Sequence, residues 1–260
     1  MPETVIGVFG TGRLARAVHR LATGEGLTAH LLDPRRPEQH DTVPAPGVLV
    51  DCSAPEAVPH AAALSARLDV PLVECVSGLD EHHLRAIGER AAGTAVVLAP
   101  NLSLGHYLQT RALRLVADVV TTMYRAGITG AIPEAAVLER HPATKRHRPS
   151  TTASRLARQW QRHTGRPAVD IASLRCGPAV SDHEVRLTWP EQTLTLTHQV
   201  GSLDAAAAGA IGAAQWAAGR APGTYTIHQV FDDLLATMAA ETADDDMAAE
   251  AADDDREDTP

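Results

Sequence analysis

Aromatic residues are scarce in this chain, at 3% of 260 residues. A core without them must rest on Ala, Val, Leu and Ile, and a hydrophobic content of 44% supplies enough for one large domain or two moderate ones. Cysteine is equally sparse. Cys52, Cys75 and Cys176 are widely spaced and form no CxxC pair, which excludes a disulfide framework and fits reduced thiols in a cytoplasmic protein. No stretch reaches the roughly 20 apolar residues of a membrane span. The start, MPETVIGVFG, has no basic segment or long apolar run, so neither membrane association nor a secretion signal is expected. Positive charge is in deficit, and a net charge of -9 excludes a general nucleic-acid binder, whose phosphate contacts need a basic face. No His, Cys and carboxylate set has zinc-like spacing, so no metal site is expected. His82 and His83 are neighbours on a predicted helix and point to different faces.

What is present is an alternation of short apolar runs and helical patterns. Strands are predicted at Val5 to Phe9, Thr28 to Leu32, Val48 to Val50, Pro71 to Cys75 and Ala95 to Ala99. Helical spacing separates them at Arg13 to Leu21, Pro55 to Leu68 and Glu81 to Ala91. This order predicts an α/β fold with a Rossmann-type, doubly wound parallel sheet. After Asn101 the pattern changes. A helix is predicted from Leu104 to Val120, a strand from Ala135 to Glu139, a polar loop from Arg140 to Pro149 and a helix from Thr152 to Thr164. Strands follow at Ile171 to Arg175, His183 to Trp189 and Thr193 to Val200. The last two alternate apolar and polar residues, as in an antiparallel sheet with one covered face. Ala205 to Gly219 is a helix whose small side chains permit close packing, and Tyr225 to Phe231 is a last short apolar element. From Glu241 the chain is Asp, Glu and Ala without aliphatic core formers, which predicts a disordered acidic tail over 241–260.

The first chemical signal is Gly10-Thr11-Gly12-Arg13-Leu14-Ala15, a GxGxxA turn between a strand and a helix. The first glycine permits the tight turn, the second lets backbone approach a pyrophosphate, and Ala15 lets the helix pack on the strand. The helix N-terminus presents its partial positive charge to phosphate. Asp33 lies about 20 positions on, where an acidic residue bonds the adenosine ribose. These residues predict dinucleotide binding. Asp33 favours NADH, whereas Arg35 and Arg36 suit the 2′-phosphate of NADPH, and both cofactors stay open. Ser53 and Ser77 follow strand ends, where α/β sites form. No nucleophile elbow surrounds them, so they read as cofactor contacts. Cys52 reads as a small core residue.

The second signal is the run from Glu139 to Thr152, dense in cationic and titratable side chains in an acidic protein. Backbone N–H groups at the helix start, with Ser150 and Thr152, suit a carboxylate. Lys145 suits pairing with it or proton donation, and His141 titrates near neutrality and suits general acid work. Composition alone leaves a second reading, a solvated basic loop that offsets the acidic tail.

Taken in order, these motifs resemble the dihydrodipicolinate reductase family of lysine biosynthesis over about Val5 to Phe231. Gly10 to Ala15 is similar to its glycine loop. Asp51-Cys52-Ser53-Ala54-Pro55-Glu56 resembles its D-[FC]-[ST]-x-P-E strand end, and Cys75-Val76-Ser77-Gly78-Leu79 stands at its nicotinamide-side loop. Pro100-Asn101-Leu102-Ser103-Leu104-Gly105 resembles its hinge. Glu139-x-His141-x-x-x-Lys145 resembles its E-x-H-H-x-x-K motif, and Arg175-x-Gly177 with His183 its later R-x-G-x-x-G-x-H.

The resemblance implies hydride transfer from NADPH or NADH to an unsaturated cyclic imine or related carboxylate, with His141 and Lys145 as the catalytic pair. It implies cofactor contacts at Gly10, Thr11, Gly12, Arg13, Leu14, Asp33, Arg35, Ser53, Ser77, Gly78, Pro100 and Asn101, and substrate contacts at Ser150, Thr151 and Thr152. It also implies a dinucleotide domain of residues 1–104 and 204–240, an inserted α+β substrate and oligomerisation domain of residues 105–203 with a mostly antiparallel sheet, and a homotetramer. Several positions depart from the family. Pro142 stands for a second histidine, His147-Arg148-Pro149 for Asp-Ala-Pro, Thr151 for a glycine, Val76-Ser77 for two threonines, and Leu203 for an arginine. These fall on substrate recognition, so an altered, carboxylated small-molecule substrate is expected. The ordinary lysine-pathway reductase, and a dehydratase or cofactor-binding module on the same fold, are the alternatives.

Overall fold

A computed structural model describes residues 4–177 and 181–237. The acidic tail expected over 241–260 lies outside the described residues, as do residues 238–240. No helix among the described residues is long and apolar enough to cross a membrane.

Strands β1 (Ile6–Phe9), β2 (Ala29–Leu32), β3 (Val48–Asp51), β4 (Leu72–Glu74) and β5 (Ala95–Leu98) alternate with helices α1 (Arg13–Gly24), α2 (Val58–Leu68) and α3 (Glu81–Ala91). All their pairings are parallel, and the sheet is completed by β10 (Gly223–Thr226) in the order β10-β5-β4-β3-β1-β2. The central strands are apolar up to their last residues because both faces are covered. Their period of two sorts side chains into two cores. Ile6, Val8, Val48, Val50, Val73 and Val97 meet α1 and helix α6 (Asp204–Ala217), while Phe9, Leu49, Leu72 and Val96 meet α2 and α3. Ala15, buried in α1, lets that helix lie close to the sheet.

The second layer follows helix α4 (Leu104–Arg125). Strands β6 (Glu134–His141), β7 (Asp170–Arg175), β8 (Ser181–Trp189) and β9 (Gln192–Val200) form a sheet of order β7-β6-β8-β9. The β6–β7 pair is parallel and the other two pairs are antiparallel. Helix α4 and helix α5 (Thr151–Thr164) cover one face, where Leu113, Ala117, Val137, Leu156, Trp160 and Val185 pack. The opposite face leaves Leu138 and Leu174 exposed. The chain then returns to the first sheet through α6. A side chain at Gly209 of that helix would run into the Leu102 carbonyl oxygen, so the close approach depends on glycine.

Two expectations change. Strand β6 runs past Glu139 to His141, because pairing with β7 continues to Arg175 and the His141 carbonyl accepts Cys176 N–H at 3.0 Å. The last apolar element divides into β10 and a helix over 227–237. The Thr226 hydroxyl accepts Gln229 N–H at 3.2 Å and caps the new helix.

Candidate active site

The glycine turn follows β1, which lies between β2 and β3 at the point where the strand order reverses. Crevices there receive ligands beyond the carboxyl ends of the strands. Gly10 has φ +133°, and a side chain there would bring Cβ within 2.8 Å of the Cys52 carbonyl oxygen. Gly12 is different, since its nearest such neighbour is 4.0 Å away. The protein itself demands the first glycine, and the second leaves open space. Helix α1 begins at that space with no side-chain cap and no acidic residue in its first turn, so its first N–H groups are free to face an anion. Gly12, Arg13, Leu14, Ser53 and Ser77 line one cavity of about 360 Å³, which Leu203 also borders. Thr11 lies half-buried within the turn. Beyond β2, Asp33 Oδ1 accepts bonds from Arg35 N–H at 3.0 Å and Arg35 Nε at 3.3 Å, and the backbone bond is the main cause of its lowered pKa. An open glycine turn, an uncapped helix start and an acid at the next strand end fit a dinucleotide.

Asp51 and Glu74 end β3 and β4 in register and are buried, a pairing the strand-by-strand sequence reading missed. Asp51 Oδ1 accepts Ser53 N–H at 2.9 Å, and Glu74 Oε1 accepts Val76 N–H at 2.8 Å, so each carboxyl anchors the loop after its strand. Burial pushes Asp51 up to about 6. Burial, with the adjacent Asp51 charge, pushes Glu74 up to about 9. Glu74 therefore keeps its proton at neutral pH. One residue further along both strands, the Cys75 thiol donates to the Val73 carbonyl at 3.8 Å and faces Cys52, and the interaction with Cys52 and burial raise its pKa. Two of the cysteines that look scattered in sequence thus meet in space.

The third group is buried on the covered face of the second sheet. Along β6 the period of two turns Glu139 and His141 inward, and the register places His183 directly opposite Glu139. Glu139 Oε1 accepts Ser150 N–H at 3.0 Å, Ser173 Oγ at 2.6 Å and Arg175 Nη2 at 2.9 Å. Burial alone would raise its pKa, but these three donors pull it down to about 2. Its other oxygen lies 3.4 Å from His141 Nδ1 and 3.8 Å from His183 Nε2. The donor atoms of Glu139, His141 and His183 all lie within 4.8 Å of one another, a spacing a cation accepts, although the Arg175 guanidinium already pairs with this carboxylate. Arg175 also donates to the Lys145 carbonyl at 2.8 Å and to the His147 carbonyl, so it holds the whole loop.

Burial lowers the His141 pKa to about 4, and the nearby Lys145 charge adds to this. This corrects the expectation that His141 titrates near neutrality: its ring stays neutral at physiological pH. The Lys145 ammonium is drawn below its ordinary range by desolvation, with Glu139 opposing and Arg175 contributing. Lys145 itself is an exposed residue.

The structure divides the expected substrate contacts. Ser150 is buried, and its hydroxyl caps α5 by accepting Ala153 N–H at 3.2 Å and lies 3.2 Å from His183 Nε2. Thr151 shares a cavity of about 200 Å³ with Glu74, Ser77, Gly78 and Pro100. Thr152 Oγ1 accepts a long bond from Asn101 Nδ2 at 3.5 Å. His141 and Lys145 line neither this cavity nor the one at the glycine turn. They connect to the cleft through the continuous run Ser150-Thr151-Thr152.

A family profile described as dihydrodipicolinate reductase, C-terminus, matches residues 105–231. A 4-hydroxy-tetrahydrodipicolinate reductase of Oleidesulfovibrio alaskensis is 32% identical over 256 residues, covering 87% of this chain and 93% of the relative. One of Stenotrophomonas maltophilia is 31% identical, covering 85% and 94%. The solved structure of dipicolinate-bound dihydrodipicolinate reductase from Paenisporosarcina sp. TG-14 has the same fold, with a TM-score of 0.68 at 16% identity, covering 87% of this chain and 98% of that one.

Proposed function

The chain belongs to the dihydrodipicolinate reductase family, and we propose that it is an NAD(P)H-dependent reductase of a cyclic imine or related carboxylate whose substrate differs from that of the lysine pathway. The observation that carries this reading is the buried Glu139–Arg175 pair, which holds the His141 strand end, the Lys145 loop and, through Ser150, the helix start at the cleft. A protein that only bound a nucleotide would have no need of that assembly.

In this reading Gly10 to Leu14 hold the pyrophosphate, and Ser53, Ser77, Gly78, Pro100 and Asn101 border the cofactor path. Asp33 with its bound Arg35 meets the adenosine ribose, the carboxylate suiting a 2′-hydroxyl and the guanidinium a 2′-phosphate. The nicotinamide supplies the hydride. Lys145, whose ammonium is drawn below the ordinary lysine range by desolvation, delivers the proton. His141, neutral at physiological pH, orients and hydrogen-bonds.

The altered substrate is supported by what surrounds Thr151. A threonine side chain borders the cavity where the family has glycine, Pro142 replaces a histidine donor, and the Ser150 hydroxyl is committed to its helix. The exposed Leu138 and Leu174 on the open face of the second sheet support assembly through that face into a homotetramer. The test follows NADPH and NADH oxidation with 4-hydroxy-tetrahydrodipicolinate and a panel of cyclic imine carboxylates. Slow turnover of the former and faster turnover of a panel member are expected. An ordinary enzymic rate with 4-hydroxy-tetrahydrodipicolinate would assign the chain to the lysine pathway instead.

A further inference from the structure

We propose that a groove between α5, the start of α4 and the helix over 227–237 binds a ligand carrying two or more oxyanion groups, carboxylate or phosphate, as an extension of the reaction cleft. The site rests on the reductase reading only for its role, since its binding chemistry stands on its own residues.

Arg155, Arg158 and Arg162 recur at i, i+3 and i+7 on α5, so they share one face of that helix. All three line a cavity of about 710 Å³, the size of a small-molecule site. No Asp or Glu lines this cavity, and among the described residues none of the three arginines has a carboxylate partner. The three exposed guanidiniums share the lining of one hollow with no acid in it, and an anion seated there can accept charge-assisted hydrogen bonds from more than one of them. Desolvation, and then the neighbouring Arg158 charge, lower the pKa of Arg155.

The opposite walls agree. His106 lines the groove and is buried at 4% exposure, and its Nδ1 has no hydrogen-bond partner. Ile227 and His228 bring the first turn of the 227–237 helix, with its partial positive charge, to the same hollow. Of the acids in the adjoining cavities, Asp232 faces His228 but is engaged by the Tyr107 hydroxyl and by Arg111, and Asp118 lies 3.1 Å from His163 Nδ1.

The groove is continuous with the cleft. Leu98, Pro100 and Arg155 border both this cavity and the smaller one that holds Ser77, Gly78 and Thr151. A ligand reacting near Ser77 therefore has a path for an anionic extension along α5.

The experiment titrates the full-length protein with pyrophosphate and with propane-1,2,3-tricarboxylate by calorimetry, beside the variant R158Q/R162Q. Binding of either probe below 1 mM in the parent, weakened at least tenfold (~1.4 kcal/mol) in the variant, is expected. Preference for the tricarboxylate names a polycarboxylate, and preference for pyrophosphate names a phosphate-bearing group. Binding weaker than 10 mM for both, or equal binding by parent and variant, overturns the proposal. Binding that emerges only after removal of residues 241–260 also overturns it, in favour of the acidic tail as occupant. NADPH is titrated in parallel and is expected to bind parent and variant alike. Failure of NADPH to bind the parent strikes the reductase reading and leaves the groove standing.

Discussion

Glu139 and Arg175 form a buried ion pair, with Oε1 and Nη2 2.9 Å apart and side chains 0% and 3% exposed. The pair lies between neighbouring strands, and three separate stretches hang on it: the His141 strand end, the Lys145 loop and the start of α5. A buried pair contributes little net stability, but losing one member strands the other's charge. Arg175→Ala is expected to cost about 3–5 kcal/mol in urea unfolding. Combining it with Glu139→Gln should recover part of the loss, because the stranded charge is gone. Additive losses would show that the two residues do not act together.

Stability should also report the Asp51–Glu74 pair. Both carboxyls have raised pKa values in the folded state, about 6 and about 9, so the unfolded chain ionises first as pH rises. Their stabilising contribution is complete at acid pH and is lost between about pH 4 and pH 9. Glu74→Gln keeps a neutral amide at the Val76 N–H and removes most of this dependence. Unfolding at pH 6 and pH 8.5 should show a smaller pH difference in the variant than in the parent. Equal differences would remove Glu74 as their source.

Glu139 acts in the opposite direction. Its folded pKa of about 2 lies below the ordinary carboxylate value, so its stabilisation is present at neutral pH and disappears as pH falls toward 2. The neutral His141, with a pKa of about 4, adds to acid sensitivity below about pH 6.5, where the unfolded ring gains its proton first. In the pH–rate profile no inflection near 6.5 is expected from His141. The alkaline limb should fall below the ordinary lysine range, as the lowered Lys145 pKa requires. Lys145→Ala and His141→Asn are each expected to lose about 10²–10⁴ in kcat while folding normally. Unchanged turnover in both would remove the enzymatic reading.

The two glycines of the turn separate fold from binding. Gly10→Ala forces a side chain into positive φ and against the Cys52 carbonyl, and should destabilise by about 1–3 kcal/mol. Gly12→Ala meets no close atom, so thermal stability should hold while the Kd for NADPH or NADH rises about tenfold or more. A Gly12→Ala variant with parental cofactor affinity would place the pyrophosphate elsewhere.

Much of the architecture is legible in the chain because it is local. The uninterrupted apolar runs, the glycine turn with Ala15 behind it, and helical spacing such as that of Glu81 to Ala91 state the doubly wound sheet residue by residue. The ordered motifs from Gly10 to His183 likewise name the family without coordinates. Boundaries escape the local pattern where a neighbouring strand decides them, as at His141, which β7 draws into β6.

What only the folded structure decided is non-local. Register set Asp51 beside Glu74 and Glu139 opposite His183, and it brought Cys52 to Cys75, although long stretches of chain separate the members of each pair. The electrostatic character of a side chain follows from such neighbours and from burial: the same imidazole that titrates near pH 6.5 in water stays neutral to about 4 at His141. Sequence carries the identity and period of each residue. The dielectric around it and the charges facing it come from distant parts of the chain, and they exist only once the sheets have closed.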